Sequence, residues 1–246
     1  ESGSEHPLSQ SILKHAYQTL GDIPHADRFE TFTGRGVRAF YQGEEIVIGA
    51  PPLLDALMID IPTAAHQALN ELKSNGKTAV LAAINGQVSG ALGIADTIRP
   101  ESAQMVAELR RVGVQEIVML TGDDPLTAKA IAAQAGIDQV HASLLPEDKL
   151  TAIRNLQAKG HVVAMLGDGI NDAPALAAAD IGIAMGVAGT GVAIETADIA
   201  LMADDLMKLP EAVRLSRATL NNIRQNVVIA LLTVAGLLLG VLLGEV

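Results

Sequence analysis

Apolar residues change their spacing once along this chain, and the change divides it. In residues 7–20 (PLSQSILKHAYQTL), Leu8, Ile12, Leu13, Ala16 and Leu20 recur at helical intervals behind Pro7, which predicts a helix with proline in its first turn. Short apolar runs at 37–40 and 46–48 flank Gln42-Gly43, and runs at 79–84 and 88–92 flank Asn85-Gly86. Asn-Gly between alternating apolar residues is the strongest short hairpin signal, because both turn positions take positive φ. Between the hairpins, residues 63–73 read as an amphipathic helix stopped at Asn75-Gly76. This first part is predicted to be an antiparallel sheet with helices.

From Arg99 helix and short apolar strand alternate. Helices are predicted over 100–112, 125–135, 146–159, 172–178 and about 190–196, with strands at 116–120, near 140, at 162–166, 181–184 and 198–202. Such alternation implies a parallel sheet with helices on both faces, whose ligands gather at the carboxyl ends of the strands. A last helix from about Met207, with Pro210 in its first turn, runs without a breaker into the uncharged 18-residue stretch 227–244. That stretch is apolar on every face and long enough to span a bilayer, and Arg214, Arg217 and Arg224 flank only its N-terminal side. The predicted divisions are 1–93, 94–206 and 207–246.

Composition narrows the partners. A net charge of −11 disfavours a nucleic-acid backbone, and 2% aromatic residues without tryptophan leave no base-stacking platform. With no cysteine there is neither a disulfide framework nor a thiolate metal site. The opening ESGSEHP has neither basic leader nor apolar core, so the chain is expected to be a piece of something longer.

The chemistry falls at the strand ends. One strand runs into Thr121-Gly122-Asp123-Asp124 and another into Gly167-Asp168-Gly169-Ile170-Asn171-Asp172. Asp168 and Asp172, four apart around glycines, can converge on an oxygen-coordinated cation such as partly hydrated Mg2+. The Thr121 hydroxyl and the Gly122 amide can hold phosphate oxygens, and Lys149, after Pro146-Glu147-Asp148, can bring a compact positive charge to them. Taken singly, Thr121 reads as a turn cap and Lys149 as a solvated helix residue; order and spacing favour the phosphate reading.

TGDD, PEDK and GDGINDAPAL together resemble the haloacid-dehalogenase-like phosphotransferases, and among them the phosphorylation domain of P-type ATPases. SEHPL at residues 4–8 and the Gly34-Arg35-Gly36 loop are similar to the nucleotide-binding domain of the heavy-metal pumps. The resemblance implies an α/β fold. It comprises a haloacid-dehalogenase-like parallel-sheet domain lacking its first strand, a small α+β nucleotide-binding domain with antiparallel sheet, and a C-terminal transmembrane helix.

The resemblance further implies ATP and Mg2+ as cofactors, with Glu1, His6, Gly34, Gly36 and Gly49 toward the nucleotide. Thr121, Gly122, Asp123 and Lys149 would face the phosphoryl group, Asp168 and Asp172 the metal, with Asn171 and Asp172 shaping the site. Such pumps phosphorylate the aspartate of DKTGT, which this chain does not contain, so that nucleophile is expected upstream of Glu1. Ala50 and Asp124 stand where the family usually has asparagine, and Asp96 and Arg99 resemble its hinge between lobes.

Asn222-Ile223-Arg224-Gln225-Asn226 resembles the entry to the next transmembrane helix of heavy-metal pumps. The following stretch lacks the Tyr-Asn pair of copper exporters and the lysine of many zinc and cadmium exporters, favouring a divalent cation of the cobalt, zinc or cadmium type. Thr233 is the one polar residue in the span, and reads equally as a hydroxyl bonded to its own helix. The implied partners are ATP, a heavy-metal cation and membrane lipid, with no nucleic acid, in a multi-pass plasma-membrane protein whose first 226 or so residues are cytoplasmic. Two rivals are a soluble phosphatase of the same superfamily and a noncatalytic nucleotide-binding module.

Overall fold

The computed structural model describes residues 16–19, 21, 25–32, 34–95, 98–167, 172–185, 196–201 and 205–243. By contacts the chain divides into two compact units, one of residues 1–98 with 118–145, the other of 99–117 with 146–246.

The first unit is built on a five-stranded antiparallel meander: β1 (Arg28–Phe32), β2 (Gly36–Tyr41), β3 (Glu44–Gly49), β4 (Lys77–Ile84) and β5 (Gln87–Ala95), adjacent in that order. The two predicted hairpins are present, and Gln42 and Asn85 take the positive φ, 50° and 51°, that such tight turns demand. On β4, Ala79, Leu81 and Ala83 alternate inward. They meet Leu53 and Leu54 of α1 (Pro51–Ala56), Leu69 of α2 (Thr63–Ser74), and Val47 and Ile59. Each fully buried leucine here contributes about 2 kcal/mol. Sequence reasoning missed β1 and α1. The strand RFETF has no apolar alternation, and Pro51-Pro52 reads as a breaker although prolines at the first helical positions leave no bond unmade.

The same unit holds β6 (Val118–Leu120), α4 (Pro125–Ala135) and β7 (Gln139–His141), with β6 and β7 paired in parallel. Asp124 caps α4 by accepting the Leu126 N–H at 3.0 Å, and Gly136 ends the helix in the left-handed conformation.

In the second unit, β8 (Ala164–Gly167), β9 (Ile181–Met185) and β10 (Ile199–Leu201) form a parallel sheet with β9 central. Ile183 and Met185 pack with Leu109 of α3 (Ser102–Arg111) and with Leu209 of α7 (Lys208–Leu243). Ala184, on the opposite face, packs with Leu176 of α6 (Ala173–Ala178), which also contacts α5 (Pro146–Ala158). Helices thus cover both faces, as parallel strands require. The alternation predicted from Arg99 is present, but its strands lie in two sheets, β6–β7 and β8–β9–β10, where a single sheet was expected. Periodicity identifies strands and is silent on their partners. The helix expected near 190–196, and most of the one expected over 7–20, lie outside the described residues.

Helix α7 is 36 residues long, and its segment Lys208–Leu239 is long and apolar enough to cross a membrane, with none of its most apolar window buried. It begins inside the second unit, where Leu209 and Pro210 are buried. About two turns later Arg217 Nη2 donates to the Gly113 carbonyl at 3.2 Å, at the end of α3, where a cation meets the negative end of the helix dipole. Thr233 Oγ1 donates to Ile229 O at 2.9 Å, so its hydroxyl is satisfied within its own helix.

Candidate functional site

Thr121 follows β6 directly. Its N–H donates to His141 O at 3.0 Å, extending the β6–β7 pairing, and its carbonyl accepts the Leu144 N–H at 3.0 Å. The hydroxyl donates to Asp123 Oδ2 at 2.9 Å and accepts the Asp123 N–H at 3.1 Å, closing the loop on itself. Gly122 lies under Leu144 O, 3.4 Å from where a Cβ would project. The Thr121–Asp123 loop is thus exposed at the carboxyl end of a parallel strand, with a hydroxyl and backbone amides at its tip.

Asp124 is more heavily committed. Beside its cap bond, Oδ2 accepts Lys73 Nζ from the last turn of α2 at 2.8 Å. Burial alone would raise this carboxyl, but the Lys73 hydrogen bond, the Leu126 and Thr127 amides and the lysine charge outweigh it and hold the group below the usual carboxylate range.

In the second unit Lys149, on the first turn of α5, reaches Asp172 Oδ1 at 2.7 Å, with both side chains largely buried. Asp172 precedes α6 and lies directly over the end of β8. A Cβ on Gly167 would come within 2.9 Å of the Asp172 Cβ, so only glycine lets the carboxylate settle there. Sequence reasoning placed Lys149 and Asp172 at one site without pairing them, and missed Lys73 and the steric role of Gly167.

Gly36 and Gly49 face each other across the β2–β3 ladder. A Cβ on either would strike the chain itself, the Leu53 Cδ2 standing 2.8 and 2.7 Å away respectively. Glycine is demanded at both by the chain's own packing. Gly34, at φ +69°, has open space where a Cβ would stand, and Ala50 donates its N–H to Arg35 O at 2.9 Å, bracing that loop. Arg99 accepts the Ser102 N–H through its carbonyl, at the entry to α3. Glu1, His6, Asp96, Asp168 and Asn171 lie outside the described residues. Among the described residues no three His, Cys, Asp or Glu side chains gather as a metal site. Thr121, Gly122 and Asp123 belong to the first unit, Lys149 and Asp172 to the second.

The family model of the haloacid dehalogenase-like hydrolases matches residues 1–180. The chain belongs to the haloacid dehalogenase-like hydrolases.

Within this family the chain is similar over nearly its whole length to heavy-metal P-type ATPases, as SEHPL and GDGINDAPAL implied. It is 44% identical over 241 residues to a manganese-exporting P-type ATPase of Mycobacterium bovis, covering 98% of this chain and 34% of that one. It is 45% identical over 235 residues to a probable cadmium-transporting ATPase of Staphylococcus aureus, covering 94% and 29%. A crystal structure of a zinc-transporting PIB-type ATPase in its E2.Pi state superposes with a TM-score of 0.76 at 43% identity, covering 99% of this chain and 39% of the other. The chain therefore spans about a third of the length of the curated pumps it matches.

Proposed function

We propose that the chain is the ATP-handling segment of a membrane pump that exports a divalent heavy-metal cation such as zinc, cadmium or cobalt through a transient aspartyl phosphate. On this reading residues 1–93 bind nucleotide, 94–206 handle the phosphoryl group, and 207–246 lead into the membrane, leaving residues up to about 226 cytoplasmic and the parent in the plasma membrane. The observation that carries it is the Lys149–Asp172 pair, seated by Gly167 at the end of β8.

Phosphoryl transfer needs chiefly positioning and charge neutralisation. Thr121, the Gly122 amide and Lys149 would neutralise the phosphoryl oxygens. His6 and Glu1 would orient the nucleotide beside the Gly34–Gly36 loop. Magnesium fits the donors, since a nearly buried carboxylate at a strand end in a chain without cysteine offers hard oxygen ligands. Asp168 and Asp172 would hold it, with Asn171 shaping the site. When bound, the metal ion neutralises charge on the transferring group.

The test uses the full-length protein reconstituted in lipid. Its ATP hydrolysis is expected to rise on adding Zn2+, Cd2+, Co2+ or Mn2+ and to vanish in Lys149→Ala. Hydrolysis of small phosphate esters with no response to any of these metals would instead favour the soluble-phosphatase rival.

A further inference from the structure

The contact between Lys73 and Asp124 joins residues 51 positions apart that belong to no shared motif. Lys73 stands in the last turn of α2, whose position is set by the antiparallel sheet. Leu72 packs so closely on β5 that a Cβ on Gly93 would lie 2.7 Å from its Cδ2, and Leu69 is buried against β4. Asp124 stands at the other end of the contact, next to the Thr121–Asp123 loop. Its oxygens are divided: Oδ1 accepts the Leu126 N–H and Oδ2 accepts Lys73 Nζ. An asparagine amide can reproduce the first bond but turns an NH2 toward the ammonium if it does so, and only the carboxylate satisfies both.

Two neighbouring contacts run in parallel. The buried Thr127 hydroxyl of α4 donates to Lys77 O at the start of β4, at 3.2 Å. At Gly76, between α2 and β4, a Cβ would project to within 3.5–3.8 Å of Gln134, Ile131 and Ala130 of α4. The face of α4 is thus seated on the α2–β4 corner, and the ion pair lies at the end of α4 nearest Thr121.

We propose that Lys73 and Asp124 are positioning residues: a charged latch that holds the Thr121 loop in register with the antiparallel-sheet lobe, so that a nucleotide carried by that lobe meets Thr121 at a fixed distance. The inference rests on the pump reading. It separates two reactions of the phosphoryl site. Phosphorylation by ATP needs the nucleotide lobe and the loop in register, whereas phosphorylation of the acceptor aspartate by inorganic phosphate, the reverse of phosphoenzyme hydrolysis with water released, needs the phosphoryl site and magnesium but no nucleotide.

The experiment measures acid-stable phosphoenzyme in the full-length protein from labelled ATP and, separately, from labelled inorganic phosphate. In Lys73→Gln and Asp124→Asn the rate from ATP is expected to fall roughly tenfold, as a loosened reacting geometry does. The yield from inorganic phosphate should stay within about twofold of wild type, and Lys73→Arg should restore the ATP rate. Unchanged rates from ATP, or equal losses from both donors, overturn the latch. A wild-type protein labelled by neither donor overturns the pump reading itself, and the latch falls with it.

Discussion

Lys149 Nζ lies 2.7 Å from Asp172 Oδ1, and the two side chains are only 16% and 15% exposed. A carboxylate this withdrawn from water depends on its partner, because removing one member of a buried pair leaves the other without compensation. Lys149→Met should therefore destabilise the protein by about 2 kcal/mol. Adding Asp172→Leu should recover much of that loss, since an apolar pair removes the stranded charge. Thermal unfolding of the full-length protein checks both; a Lys149→Met variant as stable as wild type contradicts the pair.

Gly167→Ala tests the seat of that aspartate. The new methyl would lie 2.9 Å from the Asp172 Cβ, so either β8 or the start of α6 must shift. Overpacking of this kind lowers stability by about 1–3 kcal/mol. More tellingly, it should raise the Mg2+ concentration needed for half-maximal phosphorylation, because Asp172 moves. A variant with lowered stability and unchanged magnesium dependence would show that Asp172 does not report on the metal.

Asp124 carries a pH signature. Its carboxyl is held below its ordinary value of 3.8, so its contribution to stability is fully present above that pH and is lost as pH falls through the lowered folded value. Asp124→Ala should lower stability at pH 7 by about 1 kcal/mol, the usual loss for a helix cap. The gap from wild type should hold constant down to about pH 5 and close only below about pH 4. Melting curves across that range check it, and a gap that closes near neutrality would contradict the assignment.

Helix α7 makes a different prediction. If 227–243 lies in lipid, Val234→Arg places a charge near the middle of the span, at about 3 kcal/mol on insertion scales. In the full-length protein the variant should lower the yield of folded, detergent-extracted protein several-fold, whereas Arg217→Gln, which removes a contact to the Gly113 carbonyl, should leave it near wild type. Equal yields of both argue against a spanning helix.

Legibility in the sequence followed the range of each interaction. Asn85-Gly86 declared its hairpin because positive φ is a local demand, and the helix–strand alternation after Arg99 was readable because side-chain period is local too. The partition of the parallel strands into two sheets was not readable, since pairing is decided by chain elements distant in sequence. Thr121 and Lys149 could be nominated from their motifs. Lys73 could not, because nothing near it in sequence distinguishes it from any surface lysine of a helix, and its meaning comes only from Asp124, 51 residues on. Gly36 of the GxG loop and Gly49 were legible as glycines, but packing against Leu53 shows a reason for both that spacing does not carry.

On the proposed function, Thr121 and Lys149 act on one phosphoryl group together with Asp168. The most direct measurement is a structure of the full-length protein with magnesium and an aluminium fluoride phosphoryl analogue. The account predicts Thr121 Oγ1 and Lys149 Nζ both within hydrogen-bonding distance of the fluorides, with Asp168 on the metal. An analogue bound by one of the two side chains while the other points into solvent would contradict it.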